Sequence, residues 1–546
     1  MMQSRSVGLD PMYGPIAVVD DVEQASFSTE QYEKEEEEEK PFAEHMSVIS
    51  EDDDLYIKPI PPRPLPPWIK YPKIVLDGLL PSFFHNQDPN TPVKPLHPTA
   101  YLDGIRGVAA FLVVLHHWSL LTFTLRIHKG YGSDAAPLLI QLPGIRLLVS
   151  GFWAVCVFFV VSGFSLSHKP LKLLGQGKRT DFAVAAASSA FRRYIRIFLP
   201  PITTTFIIAC LAHFGCFEAQ TRPPTGPQLK PPRGATWDAQ LRHWSAQTLA
   251  FADPLSRNLR RGNMYVYDPV LWTIPVEFDC SLVVFLTHLA FSRLRVRVRL
   301  FFHAALVCYA LYTVRWEYFL FLGGLLCADL HFFLKPASDE EHGPTSWDTL
   351  PLFSAARRHG ATALFEKAAS ATSSCVRKLR QVAPLLSFAL AIWLLSYPKQ
   401  GDDAPITPGY RTLAALAPSQ YGRHGDLLWI PLGAVLLVFT VDRSPRLQRI
   451  FTARWTQYLG RVSFAVYLVH NCMLWLVGWH LVRFFTAFTG AGTDEEYVLG
   501  VLLATCVLVP LIVCVADLAQ RWIDARAVRF AAWVESKLIG DVGSSG

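Results

Sequence analysis

From residue 101 onward the chain returns again and again to apolar runs of about 20 residues, the length one helix needs to cross a bilayer core about 30 Å thick. Few charges interrupt them. A soluble core helix keeps a polar face, and these segments mostly lack one. The composition agrees, since 51% of residues are hydrophobic and the mean hydropathy is +0.24, a balance that suits lipid better than a buried globular core. The expected fold is therefore all-α, a polytopic transmembrane bundle of about ten helices. Its segments fall at roughly 103–125, 147–167, 197–216, 270–291, 300–314, 316–334, 383–397, 425–441, 462–485 and 497–522. The fifth and seventh are short for a span, which suits helices inside the bundle or against thinned bilayer.

Residues 1–95 read differently. They hold the acidic run Glu35 to Glu39, the patch EDDD at 51–54 and the proline-rich PIPPRPLPPW from Pro59. Such a stretch cannot bury a core and is expected to be a disordered cytosolic tail. The proline run at 59–68 suits a stiff spacer better than an SH3-type ligand. Residues 96–530 form the expected transmembrane domain and 531–546 a cytosolic C-terminal tail. No apolar h-region follows the first residues, so the first membrane helix is expected to direct insertion.

Lysine and arginine then alternate between sides as the positive-inside rule requires for cytosolic termini. Connections expected inside carry Lys169, Lys172, Lys178, Arg179, Arg192 and Arg193, then RLRVRVR from Arg293, then Arg377, Lys378 and Arg380, then DRSPRLQR from Asp442. The arginine-bearing loop 217–269 falls outside, but long loops translocate largely regardless of charge. The expected protein is multi-pass in an endomembrane or the plasma membrane, with the lipid bilayer as its constant partner. The formal charge of +6 has no basic stripe interleaved with aromatics, so no nucleic acid is expected. Most of the ten cysteines lie in apolar segments and no histidine pair has a ligand spacing, so no metal is expected.

Ionisable groups inside a membrane cost about 3 kcal/mol or more at a helix centre, and those that persist are candidates for function. The first helix, YLDGIRGVAAFLVVLHHW, has the densest set. Arg106 and His117 are eleven positions apart, three turns plus about 20°, so they share a face, with Asp103 within about 60° of each. The rise separates them by about 16 Å, which puts Arg106 near the cytosolic edge and His117 near the midplane. His116 points about 100° away, toward another helix or lipid. An anchoring Asp103–Arg106 pair with both histidines bonded to backbone carbonyls would account for the same residues.

LDGIRGVAAFLVVLHHW resembles the opening signature of the acyltransferase-3 family of integral membrane O-acyltransferases, an arginine, ten residues and a histidine in the first helix. Further matches follow in the family's order: FFVVSGFSLS from Phe158, FRRYIRIFLP from Phe191, LWTIPVEF from Leu271, FLFLGGLLCADL from Phe319 and LGRVSFAVYLVH from Leu459. The resemblance covers about residues 99–530. It departs at the last helix, where the family usually closes with a glutamate and a proline and this chain has Asp524 in RWIDARAVRF. The long inserts resemble the fungal branch.

The resemblance implies transfer of an acyl, by expectation an acetyl, group from acyl-CoA to a hydroxyl on a carbohydrate, lipid or secondary metabolite. No permanently bound cofactor is expected, acyl-CoA being a substrate. A buried neutral histidine is a competent general base, so His117 is the expected catalytic centre, by direct transfer or through an acyl-histidine. Arg106, oriented by Asp103, suits donor binding better than an oxyanion hole. Arg193 and Arg196, the R-x-x-R of the third helix, suit CoA phosphates. Glu277 follows Pro275, which removes a helix hydrogen bond and is expected to break the span. Its carboxylate would orient the acceptor or His117, or pair with another helix. Tyr467 and His470, three apart on one face with Asn471 adjacent, are expected to line an acceptor pocket. His288 and His303 read as structural. A proton-coupled transporter is the alternative, disfavoured because no paired broken segments recur in the two halves.

Overall fold

Helix α1, Ala100–Thr122, is pinned to a later helix, α11, Arg454–Met473, by an approach so close that only glycine fits. A Cβ on Gly107 would lie 2.4 Å from the backbone nitrogen of Gly460, and one on Gly460 would lie 2.4 Å from the carbonyl oxygen of Asp103. Small residues let helices touch backbone to backbone where lipid supplies no hydrophobic drive between them. The contact sets α1 and α11 side by side and parallel, with Asp103 against Gly460 and the ring of His117 against that of His470.

This computed structural model describes residues 81–82, 95–133, 137–217, 231–254, 265–334, 382–399 and 403–539. The tail expected over 1–80 and 83–94, the proline run 59–68 and the basic group Arg377, Lys378 and Arg380 lie outside the described residues. Among those described there are helices and turns and no β-strand.

After α1 come α2, Phe152–Gly175, α3, Arg179–His213, α4, Trp237–Ala252, and α5, Thr273–Phe291, entered through the 3-10 turn Pro269–Trp272. Next are α6, Val296–Tyr312, α7, Trp316–Phe333, α8, Val382–Leu395, α9, Asp426–Asp442, and α10, Pro445–Phe451. Beyond α11 a π turn at Leu474–Gly478 leads into α12, Trp479–Thr489. Helix α13, Asp494–Ala519, opens on a Thr493/Glu496 capping box. It passes through a second π turn, Gln520–Asp524, into α14, Ala525–Leu538, which carries helix into the 531–546 segment.

All ten expected segments are helical. Among the described residues six stretches are long and apolar enough to cross a membrane: α1, α2, α3, Pro269–Phe291, Arg454–Thr489 and Asp494–Leu538. Helix α9 with α10, bent by 105°, would make a seventh. Helices α6 and α8 are shorter, and α7 carries Glu317, Asp329 and His331 in its 18 residues. Pro275 does not break its span. It falls in the first turn of α5, where its missing N–H has no helical partner to lose.

Helices α2 and α7 form the centre of the bundle, with Phe159, Val160, Phe164, Leu320, Phe321 and Leu325 fully buried. Beside it, Asp329 of α7 accepts from Arg299 of α6 through both oxygens, at 2.9 and 2.5 Å, and lies 3.1 Å from His303. His303, read from sequence as structural, thus has a buried carboxylate as its partner. Removing one partner of such a buried pair leaves an uncompensated charge, so Asp329→Ala should cost about 3–5 kcal/mol. Arg299→Leu with Asp329→Leu should recover most of that loss. Thermal unfolding in detergent measures both, and a double variant as unstable as the single would refute the pairing.

Candidate active site

The shared face of α1 predicted from helical spacing is turned inward. Arg106 and His117 are both buried. Arg106 donates to Asp103, and Nε2 of His97 lies 3.0 Å from the same carboxylate. At the other end His117 meets His470 of α11, with ring centroids 5.3 Å apart.

His470 has a defined tautomer. Its Nδ1 lies 3.0 Å from the Val466 carbonyl oxygen and 2.8 Å from that of Tyr467. Carbonyls only accept, so Nδ1 carries the hydrogen and Nε2 carries the lone pair. That nitrogen is buried with no hydrogen-bond partner among the described residues. A basic nitrogen is thus held out of water beside His117.

His116 points away from this pair, as the 100° step predicts, but toward protein rather than lipid. Its Nδ1 bonds the Val149 carbonyl, which also lies 2.8 Å from Nδ1 of His128. The rings of His117, His116 and His128 follow one another at 5.3 and 5.4 Å. Nothing in the sequence beyond the HH doublet signals His128.

Across from α11 stands the turn that enters α5. The Tyr467 hydroxyl donates to the Val270 carbonyl at 2.8 Å, and Asn471 donates to Asp268 at 2.9 Å. Tyr467, His470 and Asn471 therefore come together, although Tyr467 and Asn471 spend their hydrogen bonds on this turn. Asp268 is the residue that sequence reasoning missed. Its legible signal is an Asp-Pro pair just before a span, a helix-entry cap, and its Oδ1 accepts from the Val270 backbone at 3.2 Å.

Burial pushes the Asp268 carboxyl up to about 7 against hydrogen bonds from Asn471 and Val270 that pull it down. The unfolded chain loses that proton near the ordinary value of 3.8, so the folded state binds more protons between the two values. The stability Asp268 contributes is therefore full below its ordinary value and falls as pH rises through about 7. Asp268→Asn should flatten that slope in thermal unfolding. An unchanged slope would show that Asp268 titrates elsewhere.

Glu277 and Arg193, read separately from sequence, form one buried ion pair. Arg193 donates to Glu277 at 2.5 Å and to Ser281 Oγ at 3.0 Å, joining α3 to α5. Arg196, one turn on, is buried within electrostatic reach of Arg106 and of Asp524. Asp524 is itself buried, at the second π turn, within electrostatic reach of Arg196 and Arg106, and neither of its oxygens has a hydrogen-bond partner among the described residues. Where the sequence departs from the expected glutamate, a carboxylate still lies within electrostatic reach of the two arginines. π turns recur at functional sites because they turn one residue out of register.

The site thus has two levels. One is ionic, with Asp103, Arg106, Arg196, Asp524 and the Arg193–Glu277 pair. The other is deeper and holds no arginine or lysine, with His117, His470, Tyr467, Asn471 and Asp268. Among the described residues no three His, Cys, Asp or Glu side chains converge as metal ligands would. The arrangement can hold an anionic group at the first level and abstract a proton at the second.

Comparison with known proteins bears on that chemistry. Residues 99–520 match the family model described as an acyltransferase domain, Acyl_transf_3. The chain is 35% identical to O-acetyltransferase PaAT-1 of Phomopsis amygdali over 457 residues, covering 82% of this chain and 86% of that protein. It is 24% identical to acyltransferase R4 of a Phoma species, over 80% of this chain and 95% of that one. It is 25% identical to acyltransferase clz18 of Cochliobolus lunatus, over 81% and 96%. No solved structure matches it. The chain is a membrane acyltransferase and belongs to the acyltransferase-3 family.

Proposed function

We propose that this acyltransferase moves an acetyl or similar acyl group from acyl-CoA to a hydroxyl acceptor, with His117 as general base. The observation that carries the proposal is the buried contact between His117 and His470, whose Nε2 presents a lone pair. The acceptor hydroxyl gives its proton to His117 as its oxygen attacks the thioester carbonyl. The carbon–sulfur bond breaks, and the leaving thiolate takes the proton back from His117, which ends the cycle neutral. His470 sets its Nε2 lone pair beside His117, so that the two rings share the one proton the hydroxyl gives up. Tyr467 and Asn471 hold the turn at Asp268 and so shape that side. The Phomopsis relative's being an O-acetyltransferase supports an acetyl donor and an oxygen acceptor.

Arg106 and Arg196, with Asp103 and Asp524 between and beside them, form the cationic wall that the donor passes. Arg193 holds Glu277 in place and through it the entry turn of α5. Guanidinium groups suit this wall because they stay charged when buried and bond anions in a fixed fork. The donor enters from the end of the bundle where Arg106 lies. By the positive-inside rule that end faces the cytosol, as do both termini.

Purified protein in detergent, given labelled acetyl-CoA and an extract of hydroxyl-bearing acceptors, should release free CoA and label an ester. Proton-coupled uptake into liposomes with no thioester turnover would overturn the proposal in favour of transport.

A further inference from the structure

A cavity of about 420 Å³ opens where the start of α1, the last turns of α2 and the first turns of α3 meet. Its size is typical of a small-ligand site. Its walls include Lys169 and His168 from α2, and Ser188, Ser189 and Arg192 from α3, with Asp181 at the start of α3 as the one carboxylate on that helix. Ser188 and Ser189 stand four and three positions before Arg192, so each neighbours it on the helix surface. Arg192 is anchored from outside by Glu535, whose carboxylate is 3.1 Å from its Nε. A cation already fixed in place loses less freedom when it binds.

The inner wall is Asp103, the carboxylate that accepts from Arg106. The cavity therefore abuts the ionic level of the active site and stops short of His117. Arg193 and Arg196 are not among its walls and are turned into the bundle. Cations and hydroxyls gathered at a bundle end, with a row of buried cations leading inward, suit a ligand with phosphates at one end and a long thin arm at the other.

We propose that this cavity seats the phosphorylated nucleotide end of the acyl-CoA donor, with Lys169 and Arg192 binding phosphate and Ser188 and Ser189 donating to it. The arm then passes Arg106 and runs along the inward face of α1, about 16 Å from Arg106 to His117, to deliver the thioester. The assignment rests on acyl-CoA being the donor. It moves recognition of the phosphates from the R-x-x-R motif to the helix ends that precede it.

The test compares kcat/KM for acetyl-CoA with that for acetyl-pantetheine, which has the same thioester and lacks the nucleotide. Wild-type protein should prefer acetyl-CoA by about 100-fold, and Lys169→Gln or Arg192→Gln should each reduce that preference about tenfold, the loss appearing in KM. Lys169 is exposed, so its variant tests the site without loading the fold. An unchanged preference in both variants would overturn the assignment. So would a wild-type enzyme that uses both thioesters equally, although the acyl-thioester chemistry would then stand. Failure to turn over either thioester would instead remove the donor reading itself.

Discussion

Replacing His117 by glutamine should lower acyl transfer by about 10²–10⁴-fold, the range lost when a positioned general base is removed. Glutamine keeps hydrogen-bonding capacity in a buried position of similar size, so the bundle should fold and the loss should appear in kcat. His470→Gln should also impair transfer, and at the same step, because the ring that keeps its hydrogen on the Val466 and Tyr467 carbonyls sets its Nε2 lone pair beside His117. Two groups that work on one proton are not additive. The double variant should therefore be little slower than His117→Gln alone. CoA release at saturating donor measures all three. Full turnover by His117→Gln in folded protein would exclude it as the base, and strictly multiplicative losses would separate the two histidines.

The spans were legible because bilayer thickness fixes a length and hydrocarbon fixes a composition, and both are local properties of the chain. The face shared by Arg106 and His117 was legible for a similar reason, since a 100° step per residue is geometry within one helix. What lay beyond reach were the contacts between helices. Nothing in the spacing around His470 announces that its ring meets His117, because that depends on Gly107 meeting Gly460 far along the chain. Nor does any periodicity join Arg193 to Glu277. Pro275 was misjudged because a proline breaks a helix only in its interior, and the sequence does not mark where α5 begins. Asp268 sits at the end of a long loop, where its cap position before Pro269 is the one local signal. The π turn that carries Asp524 is a one-residue shift of register that no hydropathy pattern records.

The Arg193–Glu277 pair gives the second large effect, and it separates a positioning role from a chemical one. Both side chains are buried, and the guanidinium also donates to Ser281. Glu277→Ala should cost about 3–5 kcal/mol because it strands Arg193 as a buried charge, and most of the protein should fail to accumulate in the membrane. Glu277→Leu with Arg193→Leu removes both charges and their desolvation cost, so folded protein should return. If the pair serves to hold α5, whose entry turn accepts from Tyr467, the folded double variant should keep kcat within about tenfold of wild type. A well-folded double variant slower by about 10³-fold would instead put the Glu277 carboxylate in the reaction, within reach of the hydroxyl that His117 deprotonates. Thermal unfolding of the purified protein and kcat per folded molecule, taken on the same preparations, decide between the two.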